Sequence, residues 1–239
     1  MELKERVVLV AGGTSGIGLA VARAFANEGA TVVVCGSGQA GVDAVSGAPG
    51  LVARVCDVTD RAAVAELFGW VTAEYGGLDI LVNSAGLNVG NRMMANIAPE
   101  DFDRVLAVNT TGVFNCIHAA LPGMRSRGEG LIVNVVSLAG RRVMELAGLP
   151  YCVSKFATSA LGTFVGIEEA KNGIRVTNVY PGETNTPLVD KRPTPTPPEK
   201  RAQMVQPEDI AECVVMVAKL PARAVVPELI ITPPHMMVG

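Results

Sequence analysis

The chain has 239 residues, 49% hydrophobic but only 4% aromatic, with 20 basic against 23 acidic side chains and a formal charge of −3. So large an apolar fraction supports a packed core and excludes disorder, while the acidic balance argues against nucleic-acid or anionic-membrane partners. No apolar run approaches the ~18 residues of a membrane span, and Met1-Glu2-Leu3-Lys4-Glu5-Arg6 lacks an apolar leader core, which makes a cytoplasmic protein the expectation.

Valine-rich runs recur at intervals suited to β-α units. Val7 to Val10 reads as the first strand, followed by glycines and a helix from Ile17 to Asn27 that Gly29 stops. Thr31 to Val34 is the second strand and Leu51 to Val55 the third; Asp60 caps a helix to about Tyr75, and Ile80 to Val82 is the fourth strand. Pro99-Glu100-Asp101 opens a helix to about Arg125, interrupted late by Pro122-Gly123. Leu131 to Val136 is the fifth strand, and a helix runs from about Tyr151 to Ala170, with Ala157, Ala160, Gly162 and Gly166 permitting close approach. Ile174 to Val179, a helix Pro207 to Ala218, and Glu228 to Ile231 complete the series. Continuous apolar strands, rather than alternating ones, imply burial on both faces and hence a parallel sheet. The proline-rich stretch within 188–206 reads as a surface loop or a substrate lid.

Three places along this series carry chemistry. The turn Gly12-Gly13-Thr14-Ser15-Gly16-Ile17-Gly18 follows a strand and opens a helix, where glycine lets backbone N–H groups approach a pyrophosphate. The second strand then ends at Gly36-Ser37 without the carboxylate that would grip ribose hydroxyls and repel a 2′-phosphate, which favours NADP(H) and leaves NAD(H) as the alternative. Asp57, with Val58 beside it, is placed to accept from an adenine amine. Finally, Tyr151 and Lys155 lie four residues apart on one helical face, and Ser137 closes the fifth strand. A phenol beside an ammonium can exchange a proton with a carbonyl or alcohol oxygen. Only two histidines exist, and the five cysteines are widely spaced, so neither a metal site nor a disulfide framework is expected.

These residues together resemble the short-chain dehydrogenase/reductase family over essentially the whole chain. The Gly12…Gly16-Ile17-Gly18 turn resembles the family's cofactor turn, Asn83-Ser84-Ala85-Gly86 its N-N-A-G motif, and Asn109 its helix asparagine. Ser137, Tyr151 and Lys155 match its catalytic set, and Pro181-Gly182 with Thr184 and Thr186 its nicotinamide-contacting segment. The resemblance implies a Rossmann-type, doubly wound α/β fold: a seven-stranded parallel sheet, helices on both faces, one domain over 1–239. It also implies an NAD(P)-linked oxidoreductase in which Tyr151 is the acid–base, Ser137 polarises the carbonyl, Lys155 binds ribose and depresses the tyrosine pKa, and Asn109 completes a proton relay.

Ala11, Ser84 and Thr184 depart from the family pattern without removing a catalytic group. A catalytically idle cofactor-binding scaffold is the rival reading, and a 3-oxoacyl-thioester reductase the rival enzyme. The family's geometry, carried over by resemblance, implies that Leu87 to Met94, Leu138, Met144, Glu183 and Leu188 border a pocket for a small carbonyl or alcohol substrate. Met93 and Met94 suggest an apolar wall, and Arg141 and Arg142 offer themselves to an anion. Surplus apolar surface on the helices near Pro99 and Tyr151 predicts at least a dimer, and the resemblance implies a homodimer or homotetramer built on those helices.

Overall fold

The computed structural model describes residues 2–192 and 194–237; Pro193 of the expected lid and Val238–Gly239 of the tail lie outside the described residues. The chain order is β1 (Val7–Ala11), α1 (Gly16–Asn27), β2 (Thr31–Gly36), α2 (Gln39–Asp43), β3 (Leu51–Val55), α3 (Arg61–Tyr75), β4 (Ile80–Asn83), α4 (Pro99–Leu106) and α5 (Gly112–Arg127), then β5 (Gly130–Val135), α6 (Leu149–Glu169), β6 (Ile174–Pro181), α7 (Pro198–Arg201), α8 (Pro207–Lys219) and β7 (Glu228–Ile231). The strands form one sheet in the order β3-β2-β1-β4-β5-β6-β7, every neighbouring pair parallel. The direction of winding reverses between β1 and β4, the crevice where open α/β sheets receive ligands.

Alternate residues of each central strand enter different cores. Val8, Val10, Val32, Val34 and Val133 pack with Phe25 of α1 and Val214 of α8. Leu9, Val33, Leu81 and Ile132 face the opposite way, with Phe68 of α3, Ile117 of α5 and Val165 of α6. This double burial is why the central strands show no polar alternation in sequence. The edges are different: Val55 at the end of β3 is 49% exposed and Ile230 in β7 is 50% exposed.

Local signals set most boundaries. Asp60 accepts from the backbone N–H groups of Ala62 and Ala63 at the start of α3, and Gly76 ends that helix at φ +80°. Strand ends shift by one or two residues, α2 and α7 are additional short helices, and two further differences from expectation have a clear cause. Pro122 lies inside α5 without ending it, because Ala120, Leu121 and Met124 hold the surrounding turns in the core. The helix carrying Tyr151 starts two residues early, with Pro150 in its first turn, where its missing N–H costs nothing. The continuous segment Pro99–Arg127 is also long and apolar enough by composition to cross a membrane, which run length alone did not suggest. Val113, Cys116, Ile117 and Met124 are buried against the sheet, so it is a core helix here.

Beneath α6 the sheet holds a polar ladder. Asn83, Asn134 and Asn178 are in register on β4, β5 and β6. The Asn83 amide donates to Asn134 Oδ1 at 2.9 Å, and the Asn134 amide to Asn178 Oδ1 at 3.0 Å. Asn178 donates in turn to the Ser159 carbonyl of α6 at 3.0 Å. A Cβ on Gly162 would overlap the Asn178 and Asn134 amides, so glycine there lets α6 descend onto the ladder. The ladder thereby fixes the height of the helix that carries Tyr151 and Lys155.

Candidate active site

A cavity of about 770 Å³ opens at the carboxyl ends of the strands, over the crevice between β1 and β4. Its first wall is the turn between β1 and α1. Gly12 has φ +79°, and a Cβ there would strike the backbone of Ala85, so β1 and β4 approach closely only because the residue is glycine. Thr14, Ser15, Gly16 and Ile17 line the cavity, whereas Gly18 packs behind them on the Gly12 carbonyl. Ser15 precedes α1 with no side-chain cap, which leaves the first-turn N–H donors of α1 for an external acceptor. Gly36, Ser37, Asp57 and Val58 form the side wall, and Asp57 is held by the Thr59 amide and hydroxyl at 2.9 and 2.8 Å. The side wall has no carboxylate at the end of β2.

The opposite wall brings together Ala85, Gly86, Ser137, Tyr151, Lys155, Pro181, Gly182, Thr184 and Thr186. Thr186 lies against Gly16, where a Cβ would meet it at 3.4 Å, so the segment after β6 meets the turn after β1 across the cavity. Ser137 accepts from the Ala139 amide at 3.1 Å, which holds its hydroxyl at the end of β5. Burial pushes the Tyr151 phenol up to about 12, with a hydrogen bond from Ser137 acting in the opposite sense. Burial lowers Lys155 to about 8. The Lys155 ammonium sits 5.5 Å from the Tyr151 ring centre and donates to the Val135 carbonyl at 2.9 Å. At neutral pH these directions give a protonated phenol beside a mainly protonated amine.

Asn109 lies behind this wall, fully buried, in a π-helical turn (Ala107–Thr111) between α4 and α5. Its Oδ1 accepts from the Leu87 amide at 2.8 Å; its Nδ2 donates to the Leu87 carbonyl and to Ser154 Oγ, both at 3.0 Å. The Asn109 carbonyl accepts from Thr158 Oγ1 at 2.7 Å, a contact the extra residue of the π turn makes room for. A Cβ on Gly86 would lie 3.5 Å from Asn109 Oδ1 and 3.7 Å from Lys155 Nζ, so the two polar groups border one gap. Asn83 does not line the cavity either; it anchors the ladder.

The substrate end departs further from expectation. Leu87, Asn88, Leu138, Met144, Glu183 and Leu188 border the cavity, but Met93 and Met94 do not, and Met94 is 79% exposed. Arg141 pairs with Glu228 and stacks over the Tyr180 ring at 5.3 Å; neither it nor Arg142 lines the cavity. The cations that do are Arg92, Arg104, Lys191 and Arg192, beside Lys155. Arg92 falls inside the nominated stretch Leu87 to Met94, and its charge was the available signal. Ser154, which links Asn109 to the Tyr151 carbonyl by accepting from one and donating to the other, was legible only as the residue before Lys155.

Residues 6–196 match the short chain dehydrogenase family. The chain is 36% identical to the glycine betaine reductase of Emericella nidulans over 97% of its own length, although it spans only 19% of that larger protein. It is 35% identical to a 3alpha-hydroxysteroid dehydrogenase of Mediterraneibacter gnavus, covering 96% of both chains. A closed form of serine dehydrogenase complexed with NADP+ superposes with a TM-score of 0.89 at 30% identity, over 97% of this chain and 96% of that one. With the cavity at the β1/β4 crevice and the seven-stranded parallel sheet beneath it, these similarities establish that the chain belongs to the short-chain dehydrogenase/reductase family of oxidoreductases.

Proposed function

We propose that the chain interconverts a carbonyl compound and a secondary alcohol using NADP(H) in preference to NAD(H). The observation that carries this reading is the convergence of Ser137, Tyr151 and Lys155 on a cavity whose other wall is an uncapped, glycine-lined helix start. That cradle fits a dinucleotide: Gly12, Thr14, Ser15, Gly16, Ile17 and the α1 donors would hold its pyrophosphate, with Gly18 shaping the turn from behind. Gly36, Ser37, Asp57 and Val58 would hold the adenosine, and Ala85, Gly86, Tyr151, Lys155, Pro181, Gly182, Thr184 and Thr186 the nicotinamide side. Ser37 in place of a carboxylate admits a 2′-phosphate. When bound, the nicotinamide supplies or takes up the hydride.

The protein's own groups manage the proton and the orientation. In reduction the Tyr151 hydroxyl donates its proton to the substrate oxygen, which Ser137 holds by a hydrogen bond; in oxidation Tyr151 receives it back. Burial raises the phenol pKa, contrary to the expected depression by Lys155, and this suits the donor form; the Lys155 ammonium, 5.5 Å from the ring centre, would stabilise the phenolate left behind. Asn109 is a positioning residue here: it ties Leu87 to Ser154 and leaves the second lone pair of Oδ1 toward the Gly86 gap, a route for proton relay from Lys155. Tyr151→Phe retains the ring and loses the proton, so kcat on a reducible ketone should fall by about 10²–10⁴ with cofactor affinity kept. Full turnover by that variant would refute the mechanism.

We further propose one domain over residues 1–239, a cytoplasmic location, and a homodimer or homotetramer. Phe114 on α5 and Val153, Phe156, Phe164 and Ile167 on α6 are exposed, and a second copy of this chain would cover them.

A further inference from the structure

Arg92 is 5% exposed and lines the cavity, yet all of its hydrogen-bond partners are neutral. Its guanidinium donates from Nη2 to the Lys191 carbonyl at 2.6 Å, from Nη1 to the Leu146 carbonyl at 3.2 Å, and from Nε to the Gly90 carbonyl at 3.5 Å. A guanidinium has five N–H donors, so two remain beyond these three. Among the described residues no carboxylate pairs with it. A buried charge held only by carbonyl dipoles is costly unless an anion arrives.

The surroundings do not supply that anion. Among the described residues two carboxylates line the cavity, Asp57 and Glu183. Asp57 belongs to the β2–β3 side and is bound by Thr59, while Glu183 is engaged by Arg192 at 3.0 Å and approached by His235 at 3.5 Å. Arg104 is satisfied by Asp101 at 3.1 Å. Four cations besides Lys155 therefore face one substrate-side carboxylate, and Arg92 is the buried one left without a counterion. Its position relative to Tyr151 is also set: the Arg92 carbonyl accepts from the Leu149 amide at 2.9 Å, at the first residue of α6. The Arg92 stem packs on Gly148, and its head holds the turn Pro187–Lys191.

We infer that Arg92 anchors the carboxylate of an anionic substrate, an oxo acid in reduction or the corresponding hydroxy acid in oxidation. The apolar body of the substrate then lies on Leu87, Leu138, Met144 and Leu188. The carboxylate takes no part in the redox step; the carbonyl carbon gains a hydride and its oxygen gains the Tyr151 proton, as proposed above, and the inference rests on that reading. A role limited to strapping three loops together would leave the protein indifferent to substrate charge.

The test compares acetoacetate and levulinate with their methyl esters on the full-length protein with NADPH. The acids should exceed their esters in kcat/KM by about tenfold or more, and added salt should erode the rate on the acids alone. Arg92→Met should collapse that ratio through a raised KM for the acids. Wild-type protein that treats acid and ester alike, or an unchanged ratio in Arg92→Met, would overturn the inference. Should Arg92→Met fail to fold, the wild-type ratio and competitive inhibition by butyrate decide the matter alone, and no inhibition counts against the anchor. Preference for acetoacetyl-coenzyme A over acetoacetate would assign the cations to phosphate and overturn the carboxylate role. Esters preferred while Tyr151→Phe is inactive would sink only the anchor. Turnover unaffected by Tyr151→Phe would sink the underlying mechanism as well.

Discussion

Replacing Lys155 with methionine should stabilise the protein at neutral pH while abolishing turnover. Lys155 is buried, and burial alone brings it down from 10.5 to about 8, which disfavours the folded ammonium by roughly 3 kcal/mol. Methionine of similar length removes that penalty but also the ammonium's hydrogen bond to the Val135 carbonyl, worth about 1.5 kcal/mol for a charged donor. The net gain is about 1.5 kcal/mol at pH 7. Because the folded pKa is depressed for a base, the unfolded chain binds more protons between pH 8 and 10.5, and wild-type stability rises with pH through that window. The advantage of the variant is therefore full below pH 8 and shrinks as pH rises toward 10.5. Urea unfolding at pH 7, 8 and 9 and fixed protein concentration reads this directly, with a midpoint about 0.5 M higher for the variant at pH 7 and unchanged m. Tyr151, raised to about 12, keeps its proton in both folded forms over this range and in the unfolded chain below its ordinary 10.0, so it cancels. A variant less stable than wild type at pH 7, or a difference that does not vary with pH, would refute the reasoning.

Other consequences are open to equally direct measurement. Ser37→Asp introduces a carboxylate at the end of β2 and should lower kcat/KM for NADPH about tenfold or more while sparing NADH; equal losses for both cofactors would remove Ser37 from the adenosine side. Asn134→Leu leaves the Asn83 amide and Asn178 Oδ1 unpaired beneath α6, costing about 2–4 kcal/mol in urea unfolding, and an unchanged midpoint would deny the ladder its structural role. Gly12→Ala should abolish cofactor binding by calorimetry, since the new methyl meets the Ala85 backbone; retained affinity would show that the β1–β4 approach has slack. Light scattering should give a dimer or larger mass that Phe164→Glu with Ile167→Glu lowers, and a monomeric wild-type mass would contradict the proposed interface.

Strand identity, parallel pairing and the residues that line the cavity near the strand ends could be read in sequence because their causes are local. A central strand buried on both faces must be apolar at every position, a turn that crowds two backbones must be glycine, and Tyr151 and Lys155 share a face because a helix repeats every 3.6 residues. Where the cause is a neighbour distant in sequence, local reading fails. Pro122 normally ends a helix, and α5 passes through it because the core holds the turns on either side. Asn109 shows in sequence only through its resemblance to a family asparagine in Val108-Asn109-Thr110-Thr111-Gly112, whereas its bonds run to Leu87, Ser154 and Thr158.

Composition, with two histidines and an acidic balance, argued against a metal site and against a nucleic-acid partner, and the Tyr151/Lys155 spacing then pointed to tyrosine for acid–base chemistry. Only the tertiary structure decided where the cations of an acidic protein collect. Arg141 and Arg142 stand nearer Tyr151 in sequence than Arg92 does, yet Arg141 is taken by Glu228 from the far end of the chain. Arg92 is drawn into the cavity by the carbonyls of Leu146 and Lys191, residues that share no local sequence relation with it. Electrostatic pairing depends on distance through space, which the order of residues along the chain does not encode.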